Sequence, residues 1–316
     1  MNYLQILIFA FSATAPIFLV LIVGWVLRRT ALIDDAFVET ASRLVFTVAL
    51  PSLIFVNLVQ LDLSHAVDGR QLLYSLIATL AGFFLLWWGS GPLIPRGEDR
   101  GVFVQGAFRG NLGIIGIALC ARLYGAQGLA AGSLLLAVMT LSYNVLSVFA
   151  LTASQGRSTL PWGQILRSIL RNPLILSILA GVFVAAFHWK LPSLLMTSGH
   201  YFASMTLPLA LVCVGASLSS EAVSDGSRIT LTAVAMKLVI LPALMTAAAA
   251  LLGFRGMPLG TLFAMFAAPT ATASYVMARA MGGNAKMAAS MVALTTLLSP
   301  LSLSLGLYFL RLWGLI

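Results

Sequence analysis

Long apolar runs constrain this chain of 316 residues most, because all nine of its acidic residues fall between such runs or at their ends. The chain is 60% hydrophobic and only 9% charged, whereas soluble domains are roughly 45–50% apolar and about 25% charged. A helix needs about 20 apolar residues to cross a bilayer. The pattern therefore predicts an all-α polytopic membrane protein and excludes a soluble globule.

Hydropathy windows of about 19 residues divide the chain into ten predicted transmembrane helices. They lie at 4–27, 38–60, 72–94, 101–123, 128–152, 172–189, 200–219, 228–252, 258–281 and 287–312. Eleven Lys and Arg residues lie outside the span centres on one side and five on the other. The side with more cations is expected to be cytoplasmic, which places both termini outside. Because the cations sit at span ends rather than on one face with aromatic residues, a nucleic-acid partner is not expected.

The largest linker, residues 153–171, separates a first half at 1–152 from a second half at 172–316. It alternates basic and apolar residues, which is typical of an amphipathic helix on the membrane surface. A cytoplasmic extension of the sixth span explains the same pattern equally well. Either interpretation leaves five predicted spans in each half.

The two halves show signs of an internal repeat. A shift of 157 residues superimposes spans four and five on spans nine and ten, and it pairs Ser133 with Ser290 and Ser147 with Ser304. Because five is an odd number, two halves of the same fold must have opposite orientations in the membrane. The predicted fold is thus two inverted five-helix repeats, an architecture of many secondary transporters.

Spans four and nine carry helix-breaking residues near their centres. Span four contains FRGNLGIIG around Asn111, and span nine contains AAPTATASY around Pro269. Each glycine weakens a helix by up to about 1 kcal/mol relative to alanine, and proline removes an amide donor. We therefore predict two broken helices that cross at mid-membrane and expose free amides and carbonyls to a cavity. A simple kink at Pro269, with close packing at the glycines, is the alternative.

Two cations lie inside the predicted spans, and no acid lies at a span centre to pair with them. Arg109 immediately precedes the first break, and Lys237 lies in span eight. An intramembrane arginine is costly unless carbonyls, water or an anionic ligand surround it. Asn111 is the strongest candidate for a ligand contact because its amide can both donate and accept hydrogen bonds.

Metal and enzyme chemistry find little support in the sequence. Cys120 and Cys213 are isolated within apolar runs, and all three histidines lie near span ends. We therefore expect no metal site, no cofactor, no enzymatic activity and no proton coupling through a buried carboxylate or histidine. A sodium site built from carbonyl and hydroxyl oxygens is left open. An intramembrane protease, a non-transporting receptor and a channel explain the paired breaks less well.

Several segments resemble the auxin efflux carrier family over nearly the whole chain. They are FRGNLGIIGIAL at 108–119, NPLILSILAGVF at 172–183, LPLALVCVGASLS at 207–219, KLVILPAL at 237–244 and APTATASYVMARAMGGN at 268–284. The absence of long cytoplasmic loops is similar to the compact bacterial branch, which includes malonate and other organic-acid permeases. The resemblance implies a fold related to the bile acid–sodium symporters. Spans 1, 2, 6 and 7 would form a scaffold, and spans 3–5 and 8–10 a mobile transport unit.

The resemblance also implies a function and a site. The expected function is elevator-type secondary transport of small organic carboxylate anions, auxin- or malonate-like, across a bacterial inner membrane. The alternative is a sodium-coupled organic-anion symporter of the bile-acid type. Expected partners are the anion and membrane lipid, and a homodimer is left open. The candidate substrate-binding residues are Asn57, Arg109, Gly110, Asn111, Leu112, Gly113, Tyr143, Asn144, Pro269, Thr270 and Ser274.

Overall fold

The computed structural model describes residues 3–60, 69–92, 94, 97–155, 163, 167, 170–218 and 227–316. Within these residues the chain forms eleven helices. They are α1 Tyr3–Arg29, α2 Asp35–Val59, α3 Gly69–Ser90, α4 Gly97–Phe108, α5 Leu112–Ala153, α6 Pro173–Ala186, α7 Ser193–Ala216, α8 Arg228–Leu251, α9 Gly256–Phe266, α10 Ala273–Met281 and α11 Ala285–Leu312. Most of the predicted linker 153–171 lies outside the described residues.

Seven of these helices are long and apolar enough to cross a membrane: α1, α2, α3, α5, α7, α8 and α11. The sequence predicts ten spans, and the difference has three physical causes. The segment α5 covers parts of spans four and five, because two helical stretches follow each other directly across a kink at Tyr124 and Gly125, whose φ and ψ are not helical. Span nine is divided between α9 and α10, and α6 in span six has 14 residues. The all-helical membrane fold is confirmed, and the ten-span inverted repeat stays a prediction.

One group of helices consists of α1, α2, α6 and α7. Helix α1 packs against α7, and α2 packs against both α6 and α7. Two glycines allow α1 and α7 to approach closely, as small residues do at helix interfaces in membranes. A Cβ atom on Gly24 would lie 2.9 Å from the Cα of Val212, and one on Gly215 would lie 2.9 Å from the Cα of Leu21.

A second group surrounds the predicted breaks and consists of α3, α4, α5, α8, α9, α10 and α11. Buried aromatic and polar contacts connect its members. The ring of Phe83 in α3 lies 5.2 Å from that of Phe108 in α4, and Gln71 in α3 donates a hydrogen bond of 2.7 Å to Thr261 in α9. The two groups meet chiefly where α1 packs on α11, with Thr14 and Ser304 joined by a hydrogen bond of 2.7 Å.

Helices α2 and α8 each contain one wider π turn followed closely by a proline. The turns are Val45–Ala49 and Met236–Ile240, and the prolines are Pro51 and Pro242. A proline ring clashes with the preceding turn of an α-helix and leaves one carbonyl without its amide donor. We attribute both π turns to the accommodation of these prolines.

Candidate functional site

Two helix breaks cross each other at the centre of the second group. Helix α4 ends at Phe108 before α5 begins at Leu112, and α9 ends at Phe266 before α10 begins at Ala273. An antiparallel bridge joins Gly110 to Thr270. The prediction of broken helices in spans four and nine is confirmed, and a continuous helix merely kinked at Pro269 is excluded.

Backbone hydrogen bonds hold the crossing together. The amide of Asn111 donates to the carbonyl of Pro269 at 2.7 Å, and the amide of Ala271 donates to the carbonyl of Arg109 at 3.1 Å. Thr270 adds two further bonds, since its amide donates to Thr295 Oγ1 at 3.0 Å and its hydroxyl donates to the carbonyl of Gly106 at 2.8 Å. These contacts satisfy backbone groups that would otherwise be buried without partners.

The four helix ends at the crossing are arranged by polarity. The amino-terminal ends of α5 and α10 border a cavity, through Leu112 and Gly113 on one side and Thr272 and Ala273 on the other. First-turn amides have no acceptor within their own helix, and they give this end a partial positive charge. The carboxyl-terminal ends of α4 and α9 lie instead at Lys237. The cavity therefore faces positive helix ends.

This cavity has a volume of about 690 Å³, within the range of small-molecule sites. Its polar lining residues are Thr47, Arg109, Asn111, Thr140, Tyr143, Asn144, Arg167, Arg171, Asn172 and Thr272. Of the residues that the structure describes, three arginines and no acidic residue line it. The electrostatics of the cavity favour an anion.

Arg109 is the most buried cation of the cavity lining, with a relative exposure of 9%. Its guanidinium donates to Asn144 Oδ1 at 3.0 Å, to Ser147 Oγ at 3.1 Å and to the carbonyl of Tyr143 at 3.3 Å. These bonds use three of the five N–H donors of an arginine. Within the described residues the one ion pair is the exposed Arg28–Asp35, so no acid there neutralises Arg109.

Asn111 differs from Arg109 in its side-chain contacts. Its backbone has φ −78° and ψ 68°, and its carbonyl accepts the first amides of α5 from Ile115 and Gly116. In the described part of the chain no hydrogen bond involves the Asn111 side chain, although the residue lines the cavity and is 5% exposed. Its amide is therefore available to a ligand.

The structure brings seven of the eleven candidate residues to the cavity. They are Arg109, Gly110, Asn111, Leu112, Gly113, Tyr143 and Asn144. Pro269 and Thr270 form the frame of the crossing rather than the cavity wall. Asn57 lies away from the cavity lining, and its side chain donates to the carbonyl of Leu53 in its own helix at 2.7 Å. Ser274 is also outside the lining and is buried, with no hydrogen-bond partner for its hydroxyl in the described chain.

Six polar lining residues were not among the candidates: Thr47, Thr140, Thr272, Arg167, Arg171 and Asn172. Two local sequence patterns indicate how the last three residues are placed on helices. Arg167 and Arg171 are four residues apart, the spacing that places side chains on one face of a helix. Asn172 precedes Pro173, the pattern of a helix start, and its side chain accepts from the amide of Leu174 at 3.0 Å. No local signal indicates that these residues face a cavity, because tertiary packing decides that.

The apolar helices and the buried crossing define an integral membrane protein, of the architectural class in which broken helices enclose a site within the membrane. Residues 9–307 match the family model described as membrane transport protein, Mem_trans, and the chain belongs to this family of transporters. The resemblance to the auxin efflux carrier family is confirmed. The bacterial branch stays a prediction.

Two relatives match the chain over nearly its full length. An uncharacterized transporter of Methanothermobacter thermautotrophicus is 24% identical over 296 residues, which are 92% of this chain and 94% of the relative. An uncharacterized transporter of Methanocaldococcus jannaschii is 23% identical over 314 residues, which are 94% of this chain and 96% of the relative.

Proposed function

We propose that this protein is a secondary transporter of small organic carboxylate anions, auxin- or malonate-like, which binds its substrate at the helix crossing. The observation that carries the proposal is the convergence of Arg109 and two amino-terminal helix ends on one cavity, in whose described lining no acid lies. Helix amino termini bind carboxylates through free amides and the helix dipole. The unpaired amide of Asn111 adds a neutral donor.

The position of the cavity supports alternating access by an elevator motion. Its lining comes from both helix groups: Thr47 and Asn172 belong to α2 and to the start of α6, whereas Arg109, Tyr143 and Thr272 belong to the group around the crossing. The group of α1, α2, α6 and α7 would act as the scaffold. The group around the crossing would move as the transport unit and carry the bound anion with it.

Ten membrane passes fit the observed helices if broken and bent helices are counted by their passes. Helix α4 with the first part of α5 makes one pass, the rest of α5 a second, and α9 with α10 a third. Together with α1, α2, α3, α6, α7, α8 and α11 these give ten. The antiparallel bridge between Gly110 and Thr270 is the relation that two inverted repeats would produce.

The sidedness of the cavity follows from the predicted topology. Arg167, Arg171 and Asn172 line it, and the sequence assigns the two arginines to the cytoplasmic side. The cavity would thus open to the cytoplasm in this conformation.

Uptake into proteoliposomes tests the proposal. Labelled malonate and indole-3-acetate are offered in parallel, with malonamide as a neutral competitor of nearly the same shape as malonate. We expect saturable uptake of at least one carboxylate and no competition by malonamide. Equal competition by malonamide, or uptake no faster than in protein-free liposomes for either acid, would refute an anion-selective carrier.

A further inference from the structure

We infer that the ammonium group of Lys237 is a built-in cation of the helix crossing, which takes the place of a free sodium ion and makes substrate binding sodium-independent. The inference deepens the proposed function and rests on it for its consequence in transport. Its structural basis is separate, because Lys237 lies at the carboxyl-terminal helix ends of the crossing, whereas the anion cavity lies at the amino-terminal helix ends.

Lys237 contacts the last carbonyl of each broken helix. Its Nζ atom lies 3.2 Å from the carbonyl oxygen of Phe266, where α9 ends, and 3.5 Å from that of Phe108, where α4 ends. The residue is only 2% exposed. One ammonium group thus binds both carboxyl-terminal helix ends at once.

The charges at this point balance. The carboxyl-terminal end of a helix carries roughly −0.5 elementary charge, so two such ends present about −1. The single positive charge of Lys237 matches this sum. A small adjoining cavity is lined by Ala78, Thr79, Gly82, Tyr143 and Met245 among others, and no acid appears in its described lining. Two helix carbonyl ends are therefore the counter-charge that the structure offers this lysine.

Half-helix carbonyl ends are the groups with which transporters of this architecture coordinate sodium. In this chain the ammonium group already occupies the space between them. The neighbouring backbone is fitted closely to it, since a Cβ atom on Gly110 would lie 3.1 Å from Nζ and 3.2 Å from the carbonyl oxygen of Ala268. A sodium ion at the same carbonyls would have to displace the ammonium group.

The local structure of α8 brings Lys237 to this place. The residue lies in the π turn Met236–Ile240, and π turns often occur at functional sites. Helix α8 packs against α4, α9 and α11, all of which belong to the group around the crossing. The lysine would therefore travel with the proposed transport unit and remain at the helix ends throughout the cycle.

Sodium titration of the wild type and of Lys237 variants tests the inference. Lys237→Ala removes the cation and leaves space, and Lys286→Met is a matched loss of an exposed lysine outside both cavities. Melting temperature is measured without substrate, and malonate affinity is measured separately. Both are recorded in choline chloride and in the same buffer with increasing sodium chloride or n-propylammonium chloride.

We expect the wild type and Lys286→Met to be insensitive to sodium. In choline chloride, Lys237→Ala should melt at a lower temperature and bind malonate roughly tenfold more weakly, because both helix ends lose their cation. Sodium and n-propylammonium should each restore its melting temperature saturably. The rescue by sodium is the decisive result, because n-propylammonium also replaces the missing atoms of a purely structural lysine, whereas sodium replaces its charge alone.

Three results would overturn the inference. The wild type binds malonate in a sodium-dependent way; Lys237→Ala in choline chloride has the same melting temperature and malonate affinity as the wild type; or Lys237→Ala is destabilised and sodium does not restore it. If Lys237→Ala cannot be purified in any of the salts, Lys237→Gln replaces it and the wild-type titration still decides. A wild type that binds no carboxylate, together with cation rescue of the variant, would refute the proposed function and leave the resident cation intact.

Discussion

Arg109 and Asn144 are joined by a hydrogen bond of 3.0 Å between a guanidinium nitrogen and the side-chain oxygen, which connects the first helix break to the carboxyl-terminal third of α5. Both residues line the cavity. The bond fixes the guanidinium plane relative to the free amides at the start of α5. The orientation of the charge, and not only its presence, is therefore expected to matter for binding.

Arg109→Lys should lower carboxylate affinity even though the positive charge is kept. A lysine lacks the planar fork of donors and cannot reproduce the three contacts with Asn144, Ser147 and Tyr143. We expect a loss on the order of tenfold in malonate affinity, and a larger loss for Arg109→Met, which also removes the charge. Calorimetric titration measures both. The control is Arg28→Lys, an exposed arginine paired with Asp35, and wild-type affinity of Arg109→Met would contradict the role assigned to Arg109.

Asn111→Ala should weaken substrate binding while the protein keeps its fold. The crossing uses the backbone amide of Asn111, which alanine retains, so only the unpaired side-chain amide is lost. Asn111→Asp should weaken binding further, because a carboxylate in the cavity repels an anion. Malonate affinity and melting temperature are measured together. Asn57→Ala is the matched control, since this amide bonds within its own helix away from the cavity; an equal loss of affinity in both alanine variants would argue against the site.

Gly110→Ala should destabilise the protein. The added methyl group would meet Lys237 and the Ala268 carbonyl at 3.1–3.2 Å, and overpacking of this kind costs about 1–3 kcal/mol. Gly89→Ala in α3 is the control, because a Cβ atom there meets nothing within 4 Å and alanine favours a helix by up to about 1 kcal/mol. Thermal unfolding in detergent should give a lower melting temperature for the first variant only. Equal melting temperatures would show that the crossing tolerates a side chain at residue 110.

A disulfide between α1 and α11 should stop transport but not binding. The hydroxyl oxygens of Thr14 and Ser304 lie 2.7 Å apart, close enough for the sulfurs of Thr14→Cys and Ser304→Cys to be joined without large backbone movement. Oxidation would fix the proposed transport unit to the scaffold. We expect malonate uptake to fall to background on oxidation and to recover with reductant, while malonate affinity stays within a few-fold of the wild type. The two single variants serve as controls, and undiminished uptake by the cross-linked protein would contradict an elevator motion.

The helix breaks were predictable from the sequence because their causes are local. Pro269 and the glycines around Asn111 weaken a helix whatever their neighbours are, and their equal depth in two related spans indicated that they meet. Whether another candidate residue faces the cavity depends on its position around the helix axis, which changes by about 100° from one residue to the next. Thr272 and Ala273 line the cavity, whereas Ser274, the next residue, does not.

The remaining features depend on tertiary packing. The charge of Lys237 was visible in the sequence, but its two carbonyl partners come from helices 129 and 29 residues away. The part that α2 and the start of α6 contribute to the cavity wall could not be predicted, because nothing local relates Thr47 or Asn172 to the crossing. The kink at Gly125 has a positive φ of 58°, a conformation that glycine adopts at no steric cost.

The contact between α1 and α7 has a mechanical consequence. The backbone of α7 at Val212 fills the space beside Gly24 of α1, and the backbone of α1 at Leu21 fills the space beside Gly215 of α7. Rotation or sliding of one helix against the other would therefore bring side chains or backbone atoms into collision. The two helices are therefore expected to move as one rigid unit, and labels attached to this pair would provide a reference frame for distance measurements on the rest of the molecule.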